Sequence, residues 1–506
     1  MGDAKATIKW YDTARGRLLF CFLSGAVFSL PYFAEWAFAL TYVALSAFFW
    51  LLFEGTLASR EFRACLCFCL GMQWTACSWL ASMYPLPYFG FAKPLAFLIV
   101  AACCVILPAC FALIMAFALQ FGRFLPASPV WKAVGYGALW VIAEWLLTLG
   151  DMAFPWATAA LSQTGCLPIL QTVSLFGQGF VAFFAVTVCA LVAQAFLYGK
   201  RGLLIAGSAV FAGVFLLGSI LLVLPAETAK TIPVAAVQGN ISTEEKWNES
   251  SLNTIFDTYQ TITRRAAKAG AKLILLPESA VAVQFEQGGV LHGAFASIAS
   301  EYDCTVVMGV LRYENGRLYN SLVAINPDGT LSDYYNKRRA VPFGEKTPFD
   351  AVLPDLCPGT DLTVGGTDAY IEAVDYRLGC MICFDSVFCS AEQAQANADL
   401  LVLATNDAWF GDSIGAEQHL RYAKIRAVEC GKTLLRAGNT GISAVIDKNG
   451  RLLTRSDLQK QTVLHGDAAV YDSRTAVSVT GDLSPLAAAL LLAVCFGVKL
   501  FTKHKR

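Results

Sequence analysis

Apolar positions are unevenly spread along this chain. Long uninterrupted runs fill the first 224 residues and return once near the C-terminus, while the stretch between them alternates short apolar runs with polar residues. A bilayer crossing needs about 20 mostly apolar residues. On that measure the runs predict eight spans, near 17–33, 36–56, 62–84, 94–121, 130–149, 168–198, 202–224 and 484–501. In the intervening block, β-rich runs are predicted at Ile232 to Gln238, Leu273 to Leu276, Thr305 to Leu311, Ser321 to Asn326, Ala369 to Val374, Leu400 to Thr405, Lys432 to Arg436 and Ser443 to Asp447. Helical patterns cover Asn253 to Ala269 and 291–301, and Asn326-Pro-Asp-Gly329 and Asp447-Lys-Asn-Gly450 read as hairpin turns. This mixed order predicts an α/β domain whose sheets are flanked by helices. The chain thus divides into a transmembrane part, 1–224, a soluble domain, 225–482, and a last span with its tail, 483–506.

Composition agrees with this division. Of 506 residues, 56% are apolar and 15% charged, with a mean hydropathy of +0.53, against ~45–50% and ~25% in soluble proteins. Lys+Arg and Asp+Glu both number 38, so no basic face exists for neutralising phosphates and nucleic acid is excluded as a partner. The cations next to the spans are placed one-sidedly. Lys5, Lys9, Arg15 and Arg17, then Arg60 and Arg63, Arg123 and Lys132, Lys200 and Arg201, and the tail Lys503 to Arg506 fall on one face of an eight-span protein, and only Lys93 on the other. Because Lys and Arg stay cytoplasmic, both termini are expected in the cytoplasm and block 225–482 outside it. The first span has no fitting cleavage site and is read as a retained anchor. Six of the 17 cysteines lie in the soluble block (Cys304, Cys357, Cys380, Cys383, Cys389, Cys430), without a readable disulfide pairing. Glu144, inside the fifth span, is expected to pair with a polar partner such as Gln163 or Ser162. The charged stretch His419 to Glu429 reads as a covering helix.

Three segments of the soluble block carry unusual chemistry. Leu273-Ile-Leu-Leu-Pro-Glu278 places a carboxylate where a buried strand emerges; Tyr334-Tyr-Asn-Lys337 to Glu345 joins a lysine to a second carboxylate across a Pro/Gly loop; Arg377 to Cys383-Phe-Asp385 sets a cysteine between an apolar run and a turn. Singly, these read more simply as a turn carboxylate, a solvated basic loop and a packing cysteine. A thiol of pKa ~8.5 needs a base or a cation beside it to act as a nucleophile. None of the four histidines, His292, His419, His465 and His504, sits in a Cys-His or metal motif, so a carboxylate base is preferred.

In the order Glu278, Lys337, Cys383 the three segments resemble the nitrilase superfamily triad. With Val237-Gln-Gly-Asn240, Trp247, Val341-Pro-Phe-Gly-Glu345, Asn406-Asp-Ala-Trp-Phe-Gly-Asp412, Leu435 to Thr440, Glu144-Trp-Leu and Phe154-Pro-Trp156, the whole chain resembles the apolipoprotein N-acyltransferase family. The resemblance implies an eight-span α-helical bundle carrying a nitrilase-like α-β-β-α sandwich in a bacterial inner membrane, with the catalytic domain periplasmic. It also implies a phospholipid acyl donor, typically phosphatidylethanolamine, an acceptor amine on the diacylglyceryl-cysteine of an apolipoprotein, and a Cys383 thioester reached by ping-pong chemistry. Glu278 is expected as base, Lys337 as oxyanion partner, Glu345 and Asp385 as supporting groups, and Trp247, Phe384, Trp409 and Phe410 as substrate-lining. No metal or cofactor is expected, and the protein is expected to be a monomer. Phe384 and Asp385 stand where the family usually has Tyr and Glu, which changes the reach of the supporting hydrogen bonds, and Leu147 stands where Arg is expected. A membrane-tethered amidase or other carbon–nitrogen hydrolase would use the same triad, with water as acceptor, and a non-catalytic scaffold could keep the fold.

Overall fold

The computed structural model describes residues 13–86, 90–350, 352, 362–366, 370–388 and 395–504; Lys5, Lys9, Cys357, Cys389, Lys505 and Arg506 lie outside the described residues. Its first half is helical: α1 (Ala14–Phe28), α2 (Leu40–Phe53), α3 (Glu61–Ala76), α4 (Lys93–Leu119), α5 (Pro129–Leu146), α6 (Gln178–Tyr198) and α7 (Arg201–Val223). A last helix covers Ser484–His504. Among the described residues five segments are long and apolar enough to cross a membrane: Glu35–Phe53, Lys93–Phe124, Gln178–Tyr198, Arg201–Val223 and Ser484–Phe501. Exposed apolar side chains such as Leu98 and Phe117 on α4 and Ile205 and Val223 on α7 point outward, as lipid-facing residues do.

Of the eight expected spans, those near 17–33, 62–84 and 130–149 are not among these five, and that near 168–198 is broken. Helices α1 and α3 have 15 and 16 residues, about 22–24 Å at a 1.5 Å rise, short of a ~30 Å hydrocarbon core. The expected span 168–198 is not one helix: short turns at Leu167–Gln171 and Val173–Phe176 end at Gly177, and α6 starts afresh at Gln178. Gly177 has φ +80°, and a Cβ there would lie 2.3 Å from the Asp482 carboxylate, so only glycine fits this break. Helices α1 and α3 cross through a reciprocal glycine contact. A Cβ on Gly25 would meet Phe68 O at 1.9 Å, and one on Gly71 would meet Phe22 O at 1.9 Å, the close backbone approach that small residues permit in membranes.

Block 225–482 forms two six-stranded sheets. The first has the order β12-β1-β2-β3-β4-β5, from β1 (Thr228–Gln238), β2 (Leu273–Leu275), β3 (Thr305–Glu314), β4 (Arg317–Ile325), β5 (Tyr335–Asn336) and β12 (Thr462–Tyr471). The second is β11-β10-β9-β8-β7-β6, from β6 (Tyr370–Glu372), β7 (Arg377–Ile382), β8 (Leu400–Thr405), β9 (Leu434–Gly438), β10 (Ala444–Ile446) and β11 (Leu452–Arg455). Alternation along each strand assigns the layers. Val234, Ala236, Leu275, Val402, Ala404 and Leu435 share one core between the sheets. Ala235, Val237 and Ile274 pack under α8 (Leu252–Lys268) and α9 (Val290–Tyr302), whereas Leu401, Leu403 and Leu434 pack under α10 (Gly415–Cys430). Strands β1, β2, β3 and β7, β8, β9 run parallel, which gathers their carboxyl ends.

Helix α10 covers the second sheet, as the sequence reading has it. It is itself covered in turn, with 15 of its 16 residues buried and Glu417 partly exposed. Several of its polar groups are satisfied by the helical half: Gln418 accepts from Trp156 Nε1 at 2.5 Å and donates to Ala76 O at 3.2 Å, the Tyr422 hydroxyl reaches Pro155 O and Trp156 O, and Lys424 Nζ reaches Glu35 Oε1 at 2.6 Å and Thr164 O at 3.1 Å. Its charged residues Lys424 and Arg421 thus lie in the seam between the two halves. Glu144 is also differently partnered, accepting from Trp140 Nε1 and Ala159 N, both at 2.8 Å, and not from Gln163 or Ser162.

Candidate active site

Three loops leave carboxyl ends or edges of strands and converge. After β2 the chain continues through Pro277 to Glu278, and Ser279 turns it with φ +45°. After β5, Lys337 is fixed by its own N–H donating to Asn320 O at 2.8 Å. After β7, Cys383 starts a tight turn with φ +48°, an unusual conformation for a side-chain-bearing residue. Lys337 Nζ lies 2.8 Å from Glu278 Oε1 and 2.6 Å from Glu345 Oε1. Glu278 accepts further from Asn320 Nδ2 at 2.7 Å and from Asn406 N at 2.9 Å, and Glu345 from Val341 N at 2.9 Å.

The ionisation states follow from these contacts. Burial alone would raise Glu278, but Lys337 and then Lys246 overcome it and hold the carboxyl below its ordinary range. Burial would lower Lys337, and the two carboxylates beside it raise it well above the ordinary lysine value. Glu345, for which burial prevails over Lys337, is raised. Burial, followed by the Glu278 charge, pushes the Cys383 thiol up despite Lys337. The resting site is therefore a neutral thiol beside an ionised base, so thiol deprotonation and attack on a carbonyl must be coupled.

Asp385, one methylene shorter than a glutamate, reaches four partners. Oδ2 accepts from the Tyr335 hydroxyl at 2.8 Å and Ile382 N at 3.0 Å, and Oδ1 from Arg338 N at 3.1 Å and Arg339 N at 2.8 Å. It pins the lysine loop to the nucleophile turn. Phe384 packs its ring on Phe154 and Phe388, with centroids at 5.4 and 5.1 Å.

Sequence reasoning missed a second layer. His419 Nε2 lies 3.1 Å from the Cys383 carbonyl, its Nδ1 is 2.8 Å from Asp407 Oδ1, and Arg436 Nη2 is 2.5 Å from Asp407 Oδ2. Thr405 donates to Asp407 as well, at 2.6 Å. Although Cys383, Asp407 and His419 cluster within 4.8 Å, the Asp407 oxygens are already engaged by three donors, which favours a bracing role over a metal-binding one. Lys246 is the other omission. It is 2% exposed and donates to the Glu278 carbonyl at 2.9 Å. Its only sequence signal is its position just before Trp247.

An apolar cavity of ≈440 Å³ opens at Cys383 and is lined from both halves, by Trp79, Val100 and Phe154 of the helical part and by Phe384, Trp409 and Phe410 of the sheet domain. Trp247, 49% exposed, is not among its lining residues.

Comparison with known proteins agrees with this division. The family described as carbon-nitrogen hydrolase matches residues 233–474, and the apolipoprotein N-acyltransferase N-terminal domain matches residues 24–191. The apolipoprotein N-acyltransferase of Gloeobacter violaceus is 32% identical over 363 residues, 70% of this chain and 70% of its own. That of Haemophilus influenzae is 30% identical over 402 residues, 74% of this chain and 76% of its own. Among solved structures, the nitrilase-superfamily protein Nit3 of Saccharomyces cerevisiae is 18% identical, covering 48% of this chain and 93% of its own with a TM-score of 0.39. With both halves matched in order and relatives aligned over more than two thirds of their length, the chain belongs to the apolipoprotein N-acyltransferase family.

Proposed function

We propose that this protein moves a fatty acyl chain from a membrane phospholipid to the N-terminal α-amine of a diacylglyceryl-cysteine lipoprotein, through a thioester on Cys383. The observation that carries this reading is the apolar cavity, which ends at the nucleophile and is walled by membrane helices as well as catalytic loops. An acyl chain has the chemistry of that lining, and a donor lying in the bilayer can reach it without entering water.

In this reading Glu278 takes the thiol proton as Sγ attacks the ester carbonyl, and Lys337 faces the oxyanion. The protonated Glu278 returns its proton to the departing lysophospholipid alkoxide, leaving the thioester. The amine then attacks, Glu278 accepts its proton, and collapse of the second oxyanion releases the amide and restores the thiol. Glu345, raised by burial, shares Lys337 and fixes it. Phe384, Trp409 and Phe410 line the chain site, and Trp247, half exposed, is left to meet the headgroup or acceptor. Phosphatidylethanolamine is the donor, no metal or cofactor enters, and the enzyme works as a monomer.

The topology belongs to the same reading. Eight crossings, with α3 extended by the 3-10 turn Ser78–Met83, put both termini in the cytoplasm of a bacterial cell and domain 225–482 at the periplasmic face, between 1–224 and 483–506. There its acceptor, an outer-leaflet lipoprotein, is available.

The test is the intact mass of the full-length protein incubated with phosphatidylethanolamine, before and after addition of a diacylglyceryl-cysteine peptide. An acyl-sized gain on Cys383 that passes to the peptide is expected. Release of free fatty acid with the peptide unchanged would replace the transferase with the hydrolase.

A further inference from the structure

Lys246 belongs to none of the roles above, yet it is almost wholly buried beside them. It ends the short turn Thr243–Lys246, which Ser242 and Glu245 cap reciprocally, and its ammonium donates to the backbone carbonyl of Glu278 at 2.9 Å. Its other close neighbour is the Trp247 ring, with Nζ 6.0 Å from the centroid. An ammonium has three N–H donors, so burying one with a single acceptor among the described residues is costly, and a purely packing role would be met more cheaply by methionine.

The charges explain why a lysine is there. Glu278 and Glu345 share one ammonium, Lys337, which leaves these three groups with an excess negative charge when both carboxylates are ionised. Lys246 supplies the missing positive charge. The charged or titratable groups it faces are Glu278, Cys383 and Lys337; Glu244 and Glu245 of its own turn are exposed.

We propose that Lys246 is a positioning residue of the acyl-transfer site, holding the Glu278 backbone and keeping its carboxylate ionised so that it can accept the thiol proton. This rests on the Glu278–Lys337–Cys383 reading above. Burial weakens the charge it supplies, lowering its own pKa to about 8 against the partial compensation of Glu278. The support it gives the base is therefore present at neutral pH and lost as pH rises through that value.

The test measures Cys383 alkylation by iodoacetamide against pH, by peptide mass in the full-length protein, a readout that needs no lipid substrate. For Lys246→Met the acid limb, set by Glu278 ionisation, is expected to move up by about 1 pH unit, a tenfold lower rate on that limb. An unmoved limb overturns the proposal. Lys246→Arg, which keeps its charge, should retain the wild-type acid limb and lose a slope change near pH 8 that the wild type has. The same slope in both proteins also overturns it, and this second variant decides the matter if the first fails to fold. Thioester formation with phosphatidylethanolamine is followed in parallel. Its absence in wild type, with the limb shift present, would sink the acyl-transfer reading and leave Lys246 as the partner of Glu278.

Discussion

Replacing Asp385 separates the stability of the site from its alignment. The carboxylate accepts four hydrogen bonds, and two of the donors, the Tyr335 hydroxyl and Ile382 N–H, are fully buried. Each buried donor left unpaired costs about 1–3 kcal/mol, so Asp385→Ala is expected to destabilise by about 2–6 kcal/mol before the partly buried Arg338 and Arg339 amides are counted. At ~2–4 °C per kcal/mol for a domain of this size, thermal unfolding in detergent should begin at least ~4 °C lower. Asp385→Asn keeps one acceptor oxygen but turns N–H groups toward the other pair of donors. If it keeps the buried pair, it forfeits the lysine loop, and a Lys337 displaced by 1 Å should slow thioester formation by up to ~100-fold. The expected signature is thus a large thermal loss for Ala, and for Asn a smaller thermal loss with a disproportionate loss of rate. Wild-type unfolding and rate in the Asn variant would refute the idea that this carboxylate pins the two loops together.

Four further outcomes follow from the geometry. Cys383→Ala should abolish thioester formation while Cys380→Ala leaves it, since Cys380 is buried in the inter-sheet core; loss in both would misplace the nucleophile, and acyl-enzyme mass decides it. Cys103→Trp, filling part of the cavity wall, should shift donor preference toward shorter acyl chains, and an unchanged ratio of lysolipid release from C12 and C18 donors would exclude that wall from the chain site. His419→Gln, which can still offer an N–H to the Cys383 carbonyl, should keep more activity than His419→Leu by about tenfold; equal rates would remove the brace. Gly71→Val should cut the yield of folded protein sharply, because its Cβ would sit 1.9 Å from Phe22 O, and a wild-type monodisperse peak by size exclusion would contradict the α1–α3 crossing.

Much of this protein is written locally. The apolar runs place the helices, the alternation of Val234 and Ala236 against Ala235 and Val237 places a strand between two layers, and Gly329 and Gly450 mark turns, each with φ +79°. Such features depend on residues a few positions apart, which the sequence displays directly. The motif residues Glu278, Lys337 and Cys383 were legible for a similar reason, since each stands at the end of a β-like run. The sequence did not display the partners of charge. Helix α10 read only as a covering helix, because nothing local reveals that Pro155, Thr164 and Glu35 come down onto its outer face from more than 250 residues earlier. His419 read as unassigned and Lys246 went unremarked, because each acquires its meaning only when separate strands set it against Cys383 and Glu278. The break at Gly177 was hidden as well, because its constraint comes from Asp482, which arrives from the far end of the chain. Hydrophobic patterning therefore determined the elements and the order of the site, whereas tertiary contact decided ionisation, alignment and the joint between the two halves. Burial and pairing set the energy of a charge, and both are properties of neighbours the linear chain does not place.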